Sequence, residues 1–367
     1  MIRMMKNKCT LVIDGNWLLL SRFSVMSKGF ELDMPEYAKE NAQKELHELM
    51  AKSITIMLNR FPTIDNIVLV SDGGSWRKQL PIPKSLEDTT YKGNRVHVAE
   101  HDWKYIYGAL TDLSEQCESL GITVSHHFTI EGDDWAWYWS RRLNNDGISC
   151  MIWTADNDLK QLIQNNSTTG VFTAWYNDKN GVWFHNDLEE KDMSDIDFFM
   201  QPMTFKSPIV EDLKIHARSV NFKDPNIIVM EKIICGDAGD NIKSVAKMTK
   251  NNRTYKVSPK IWNEIKESLS INTINDFISH KLDIANKIVQ TKKFSECDVN
   301  EIIEMIEYNI KLVWLNEAVI PETIIMYMNQ LEYNIVDLSF IKSNYRTLCK
   351  ADKEIEDIFE SIEDVPF

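Results

Sequence analysis

At 367 residues, 43% hydrophobic and 10% aromatic, the chain can build two compact domains, or one large α/β domain with a helical appendage, and its composition excludes a disordered scaffold. Six scattered cysteines, with no C-x-x-C and no His at ligand spacing, point to neither a zinc site nor a disulfide framework and fit a reducing cytosol. The formal charge of -14 rules out a uniformly basic nucleic-acid binder, since phosphate backbones repel acidic surfaces; local charge has to decide that question.

The opening segment, followed by CTLVIDGNWLLL, has the look of a signal peptide. Asp14 and Asn16 interrupt the apolar run, however, and no small-residue cleavage site follows, so it reads as a first buried strand. No run approaches the roughly 18 apolar residues a membrane span needs. Further strands are expected at NIVLVSD (66 to 72), ITVSHH (122 to 127) and CMIWTAD (150 to 156), with helical spacing between them at 36 to 60 and 103 to 120. Such alternation predicts βαβ units and a mostly parallel sheet, whose ligand site lies at the carboxyl ends of the strands. His126 and His127 are adjacent on a strand, point to opposite faces and read as edge residues rather than metal ligands. Trp135, Trp137 and Trp139 are spread around a helix and read as core. A hairpin is expected over VFTAWYNDKNGVWFHN (171 to 186), with Asn180-Gly181 in its turn.

Past about residue 205 the pattern turns helical and more basic. Between Asn241 and Lys260 there are six basic residues (Lys243, Lys247, Lys250, Arg253, Lys256 and Lys260) and no acid. Ala351 to Phe367 reverses this, with seven acids and one Lys. The division expected is a core over 1 to 205, with an arch at about 73 to 105, a helical region over 206 to 350, and an acidic tail over 351 to 367.

Nine acids in five clusters stand at or after the strand ends: Asp14; Asp72; Glu131, Asp133 and Asp134 in EGDD; Asp156 and Asp158 in TADND; Asp237 and Asp240 in GDAGDN. Each alone reads equally as a turn residue or a helix cap. Together they supply the converging hard oxygen ligands that magnesium prefers, and their mutual repulsion gives the cluster a reason to bind cations.

In that order the residues resemble the 5' nuclease superfamily: flap endonucleases, the 5' nuclease domain of bacterial DNA polymerase I and phage 5'-to-3' exonucleases. VIDGN and LVSDGG are similar to its first two acidic strands, and YKGNR (91 to 95) to the Tyr-Lys-x-x-Arg of its helical arch. EGDDWAWY resembles its Glu-Ala-Asp-Asp helix start, TADNDLKQL its Thr-x-Asp-x-Asp-x-x-Gln-Leu segment, and GDAGDNIKSV its Gly-Asp-x-x-Asp-Asn motif. The resemblance covers about residues 9 to 250 and is nearest to the phage enzymes called ribonuclease H.

It implies a PIN-like α/β core with a central mostly parallel sheet, plus a helical carboxy-terminal region carrying a helix-turn-helix-type DNA-binding element. It implies two magnesium ions among the nine acids, with manganese as a substitute, hydrolysing phosphodiester bonds at 5' flaps, nicks or RNA primers. Lys92 and Arg95 match arch residues that contact the scissile phosphate; Arg77 joins them, and Tyr91 offers a ring to a base. Lys243, Lys247, Lys250, Arg253 and Lys256 fall where the family grips the duplex backbone. Ser244 in place of Gly, and KMTKNNRTYK in place of Gly-x-Gly-x-Lys, put in question the potassium ion many members hold there. The implied partners are DNA with a 5' flap, nick or free end and RNA–DNA hybrid, in a bacterial or phage-infected cytosol. The final IEDVPF resembles the acidic tip of bacterial single-stranded-DNA-binding proteins, which suggests such a protein or a sliding clamp as a further partner; the other reading is a packed last helix with a frayed end. Competing readings are an inert DNA-binding paralogue and a PIN-type endoribonuclease.

Overall fold

The computed structural model describes residues 9–26, 28–86, 91–93, 100–166, 169–188 and 208–349. Its centre is an eight-stranded sheet. The strands are β1 (Cys9–Asp14), β2 (Ile64–Val70), β3 (Thr123–Ser125), β4 (Ser149–Trp153), β5 (Gln164–Asn166), β6 (Val171–Asn177), β7 (Gly181–His185) and β8 (Val220–Lys223), in the order β3-β2-β1-β4-β6-β7-β8, with β5 pairing β6. The pairs from β3 through β6 along this order are parallel, while β6 with β7 is antiparallel. Parallel strands need both faces covered, which is why β1, β2, β4 and β6 are almost wholly buried.

One face carries α1 (Gly15–Met26), α2 (Glu36–Arg60), α3 (Trp103–Ser119) and α5 (Pro208–His216); the other carries α4 (Gly132–Asn145). The alternation of side chains along β1 divides them: Leu11 and Ile13 enter the first cluster and Val12 the second. Trp135, Trp137 and Trp139 of α4 are buried in that second cluster, as their spacing predicted.

A third apolar cluster, spanning Val229 to Val313 with Tyr91 added, forms around α6 (Pro225–Cys235), α7 (Pro259–Ser268), α8 (Ile274–Ser279), α9 (Lys281–Gln290) and α10 (Val299–Val313). The basic run lies between α6 and α7, where a helix-turn-helix-type element was expected. That run is itself a two-stranded hairpin, β9 (Lys247–Lys250) with β10 (Arg253–Lys256). The chain then returns: α11 (Glu322–Met328) covers the α4 face, and α12 (Ser339–Ser343) packs against α2. The sheet also continues past residue 205, the expected limit of the core, through β8. The acidic tail, 351 to 367, lies outside the described residues, and no helix among the described residues is long and apolar enough to cross a membrane.

Candidate metal centre

Strand β1 ends on Asp14, whose carboxylate accepts hydrogen bonds from the Trp17 amide (2.9 Å) and the Thr154 hydroxyl (2.7 Å). Burial raises its pKa to about 7; the two hydrogen bonds oppose that shift, and the negative charges of Asp72 and Asp156 add to it. Asp72 follows β2, and its Oδ1 accepts from the Gly132 amide at 2.5 Å. A Cβ on Gly132 would sit 2.9 Å from that same oxygen, so the glycine in EGDD lets the carboxylate close onto the amino end of α4.

Asp133, in the first turn of α4, has its pKa pushed well above the ordinary carboxylate range by burial and then by Asp156; Lys92 opposes this, while Asp72 and Glu131 add to it. After β4, the Thr154 hydroxyl accepts from the Asp156 amide (3.0 Å), and Asp156 Oδ1 accepts from the Asp158 amide (2.8 Å), so the TADND turn is held by its own side chains. Gln161 in that segment bonds both ways to the end of α10, donating to the Val313 carbonyl (3.1 Å) and accepting from the Leu315 amide (2.9 Å).

This bond sets the helical region against the sheet edge. Oxygens of Asp158, Asp237 and Asp240 lie within 4.8 Å of one another. The loop carrying Asp237 and Asp240 is closed by reciprocal backbone bonds between Asp237 and Ile242, and Asn309 of α10 donates to the Ile233 and Lys243 carbonyls at 2.8 Å each. In the midst of the three carboxylates stands Lys232, whose Nζ pairs with Asp158, with Asp237 at 2.7 Å and with Asp240 at 3.4 Å. Burial raises the Asp158 pKa to about 6, with Lys232 lowering it and Asp156 raising it.

The acids therefore form one chain of neighbours across five segments. Two of the nine, Asp134 and Glu131, pair with Arg77. Asp134 is wholly buried, with Arg77 Nη2 at 2.7 Å from Oδ1 and both Arg77 Nη1 (2.9 Å) and Trp76 Nε1 (3.0 Å) on Oδ2. Asp134, expected among the metal ligands, is thus placed against Arg77 and Trp76. Glu131 shares its oxygens between Arg77 (2.8 Å) and Lys92 (2.5 Å); burial raises its pKa, but the two cations outweigh burial and hold it below the usual range.

Arg77, expected at the scissile phosphate, is only 2% exposed and serves as the counter-ion of Asp134 and Glu131. Tyr91, expected to offer its ring to a base, is 5% exposed and packs in the third apolar cluster, with the Lys92 ammonium over its ring at 5.0 Å. Lys92 sits in the left-handed region (φ 55°) and its amide donates to the Asp240 carbonyl (2.9 Å), which ties the foot of the expected arch to the GDAGDN loop. Arg95 lies outside the described residues. His126 bonds Ser71 at 3.1 Å and His127 bonds Thr129 at 2.9 Å.

Among the basic residues, Lys243 is exposed and donates to Asn241 at 2.6 Å. In the hairpin, Lys247 stands opposite Lys256, and Lys250 opposite Arg253. Sequence reasoning missed Lys232; a lysine in the last turn of a helix reads as an ordinary partner of the helix dipole, and nothing local marks it as the centre of three acids.

No family model matches the chain. In sequence it is 25% identical over 242 residues to a 5'-3' exonuclease of Mycoplasmopsis pulmonis (strain UAB CTIP); the match covers 66% of this chain and 63% of the relative, less than two-thirds of its length. In structure it is similar to the T5 5'-exonuclease with zinc bound (TM-score 0.53, 15% identity, 88% of this chain and 97% of that one). It is also similar to the flap endonuclease of bacteriophage T5 in a pseudo-enzyme-product complex with DNA and metal ions (TM-score 0.53, 14% identity, 96% and 99%). The shared architecture is the mostly parallel sheet flanked by helices.

Proposed function

We propose that this chain is a member of the 5' nuclease superfamily, a divalent-cation-dependent nuclease that hydrolyses phosphodiester bonds at 5' flaps, nicks or RNA-primed 5' ends in replication or repair; its motif order, its sequence relative and its fold support this reading. The observation that carries this reading is the convergence of carboxylates from five chain segments on one edge of the sheet, several of them held above their ordinary pKa by burial and by one another.

That donor set fits hard cations. It offers only oxygens, and like charges this close, taken out of water, call for positive charge among them. Asp14, Asp72, Asp133 and Asp156 would hold one magnesium or manganese ion, and Asp158, Asp237 and Asp240 a second, where Lys232 now supplies the positive charge. Ions so held supply an activated water and stabilise the leaving oxygen.

The rest is done by the chain's own side chains. Lys92 stands beside the acids, where an ammonium would offset charge developing on a phosphoryl oxygen. The hairpin sets Lys247 opposite Lys256, a pairing of like charges that costs stability in the free protein and is relieved by a phosphate backbone, while Lys250 is paired with Glu296 at 2.7 Å. The test is cleavage of a 5'-labelled flap with and without magnesium. Cation-dependent release of the flap is expected, with a loss of at least about a hundredfold in an Asp156→Asn, Asp158→Asn double variant. Undiminished cleavage by that variant would remove the site.

A further inference from the structure

Beside the acid cluster, on the other side of a tryptophan pair, lies a basin of about 750 Å³ that the reaction does not use. It opens between α1, α2, the carboxyl end of β4, the β6–β7 turn and the segment linking α5 to β8. Trp17, whose amide bonds Asp14, packs edge-on against Trp153 with ring centroids 5.4 Å apart, and Trp153 lines the basin. The basin and the acids are thus neighbours on one edge of the sheet.

Its charge is opposite to that of the molecule. Arg22, Arg60, Lys179 and Arg218 line it with one carboxylate, Asp178, in a chain whose formal charge is -14. Asp178 is itself claimed by two of the arginines, Arg60 at 2.9 Å and Arg22 at 3.7 Å, so it fixes guanidinium groups more than it repels an anion. Burial lowers the Arg22 pKa and Asp178 only partly restores it, the mark of a guanidinium short of negative charge.

Two of the lining residues also carry buried donors with no hydrogen-bond partner among the described residues: Nε of Arg22, and Nε1 of Trp153. Buried donors are rarely left unpaired, and a wall of guanidinium and ammonium groups matches a ligand that only accepts. Phosphate oxygens meet that requirement, and arginines bind them in a bidentate way. The basin is too large for a single phosphate, and its cations come from separate elements, as a repeating backbone would require.

We propose that this basin is a second phosphate-binding site, holding the backbone of a nucleic-acid strand that passes the acid cluster; this rests on the nuclease reading above. The test uses the full chain and a Lys179→Gln, Arg218→Gln double variant, both positions exposed, with folding checked by circular dichroism. Anisotropy of a dye-labelled 5'-flap DNA is followed over a salt series with calcium in place of magnesium, and cleavage is measured separately with magnesium. The expected result is weaker binding, with the slope of log affinity against log salt reduced by roughly 1 per cation removed. An unchanged slope in a chain that still binds and cleaves overturns this site and leaves the nuclease reading intact. A reduced slope in a chain that binds but never cleaves supports the site and overturns the nuclease reading. Calorimetric binding of inorganic phosphate that the variant loses, with the DNA slope unchanged, would assign the basin to a small phosphate ligand and overturn the strand proposal.

Discussion

The guanidinium of Arg77 shows what single residues contribute here. It is enclosed by Asp134, Glu131 and the Trp76 ring, 4.5 Å away, so its removal leaves buried Asp134 without a counter-ion and Glu131 with Lys92 alone. Breaking such a pair typically costs about 3–5 kcal/mol. Arg77→Met is therefore expected to lower unfolding stability by that order in urea titration. Arg77→Lys is expected to recover only part, because a point charge cannot serve both oxygens of Asp134 and Glu131 together; a methionine variant as stable as the parent would show that the fork is not what holds these acids. The acids around it also set a pH dependence. Asp14 and Asp158 have folded pKa values of about 7 and about 6, above an unfolded carboxylate near 3.9. The folded state then holds more protons than the unfolded state in that interval, so these two groups withdraw stability as pH rises from about 4 to about 7 and add no further change above. Chelator-treated protein should accordingly lose melting temperature between pH 5 and pH 8, and magnesium should cancel the loss. A chelated protein whose melting temperature climbs over that range would contradict the raised values.

Elements were legible where period and burial agreed. The stretches 36 to 60 and 103 to 120 carry a helical repeat and are α2 and α3, while the runs ending in Asp14, Asp72 and Asp156 are strands whose ends meet. Short elements with little apolar pattern were not legible: β5 is Gln-Asn-Asn, and β8 is a four-residue strand at the sheet's end. The backbone of the basic run was not legible for a different reason. Charge says where a polyanion would bind but nothing about backbone, and the informative residues were Asn251 and Asn252, which take φ 50° and 59° in a two-residue hairpin turn. The site was legible as a list of acids and not as a geometry, since the turn of Asp134 toward Arg77 and the entry of Lys232 depend on packing between distant segments. The hairpin carries a prediction of its own. Lys247 and Lys256 face each other and are exposed, so changing both to Gln should leave thermal stability equal or slightly raised. The same change should reduce the salt slope of flap binding by about 2, near 0.9 for each duplex phosphate no longer neutralised. A preserved slope would take the hairpin out of the DNA-binding surface.

At the scale of the whole molecule, the chain leaves the sheet, builds the third cluster and comes back, and that return holds the two halves of the acid site together. Leu315, Ile320, Ile324 and Met328 pack on the α4 face. Leu338, Ile341 and Leu348 then enter the same cluster as Leu11 and Ile13. Polar contacts fix the register: Tyr333 with Thr10 at 2.7 Å, Asn66 to the Asn334 carbonyl at 2.7 Å, Thr55 to the Ile341 carbonyl at 3.0 Å, and His47 with the Leu348 carbonyl at 2.7 Å. Because the helical region is anchored at its entry through β8 and at its exit through Leu315, Asp237 and Asp240 cannot drift from Asp158 unless one anchor gives way. Burying a Leu or Ile contributes about 1.5–3 kcal/mol, so the three buried by the 333–349 segment carry a sum comparable with the whole stability of an ordinary domain, about 5–15 kcal/mol. Ending the chain after Glu332 should therefore move the urea midpoint of the sheet and of the helical region together, with tryptophan fluorescence and far-ultraviolet dichroism tracing one transition in the parent chain. If the shortened chain kept the parent midpoint, or if the parent's two probes separated into independent transitions, the acids of the two halves would be joined by proximity alone and not by a common fold.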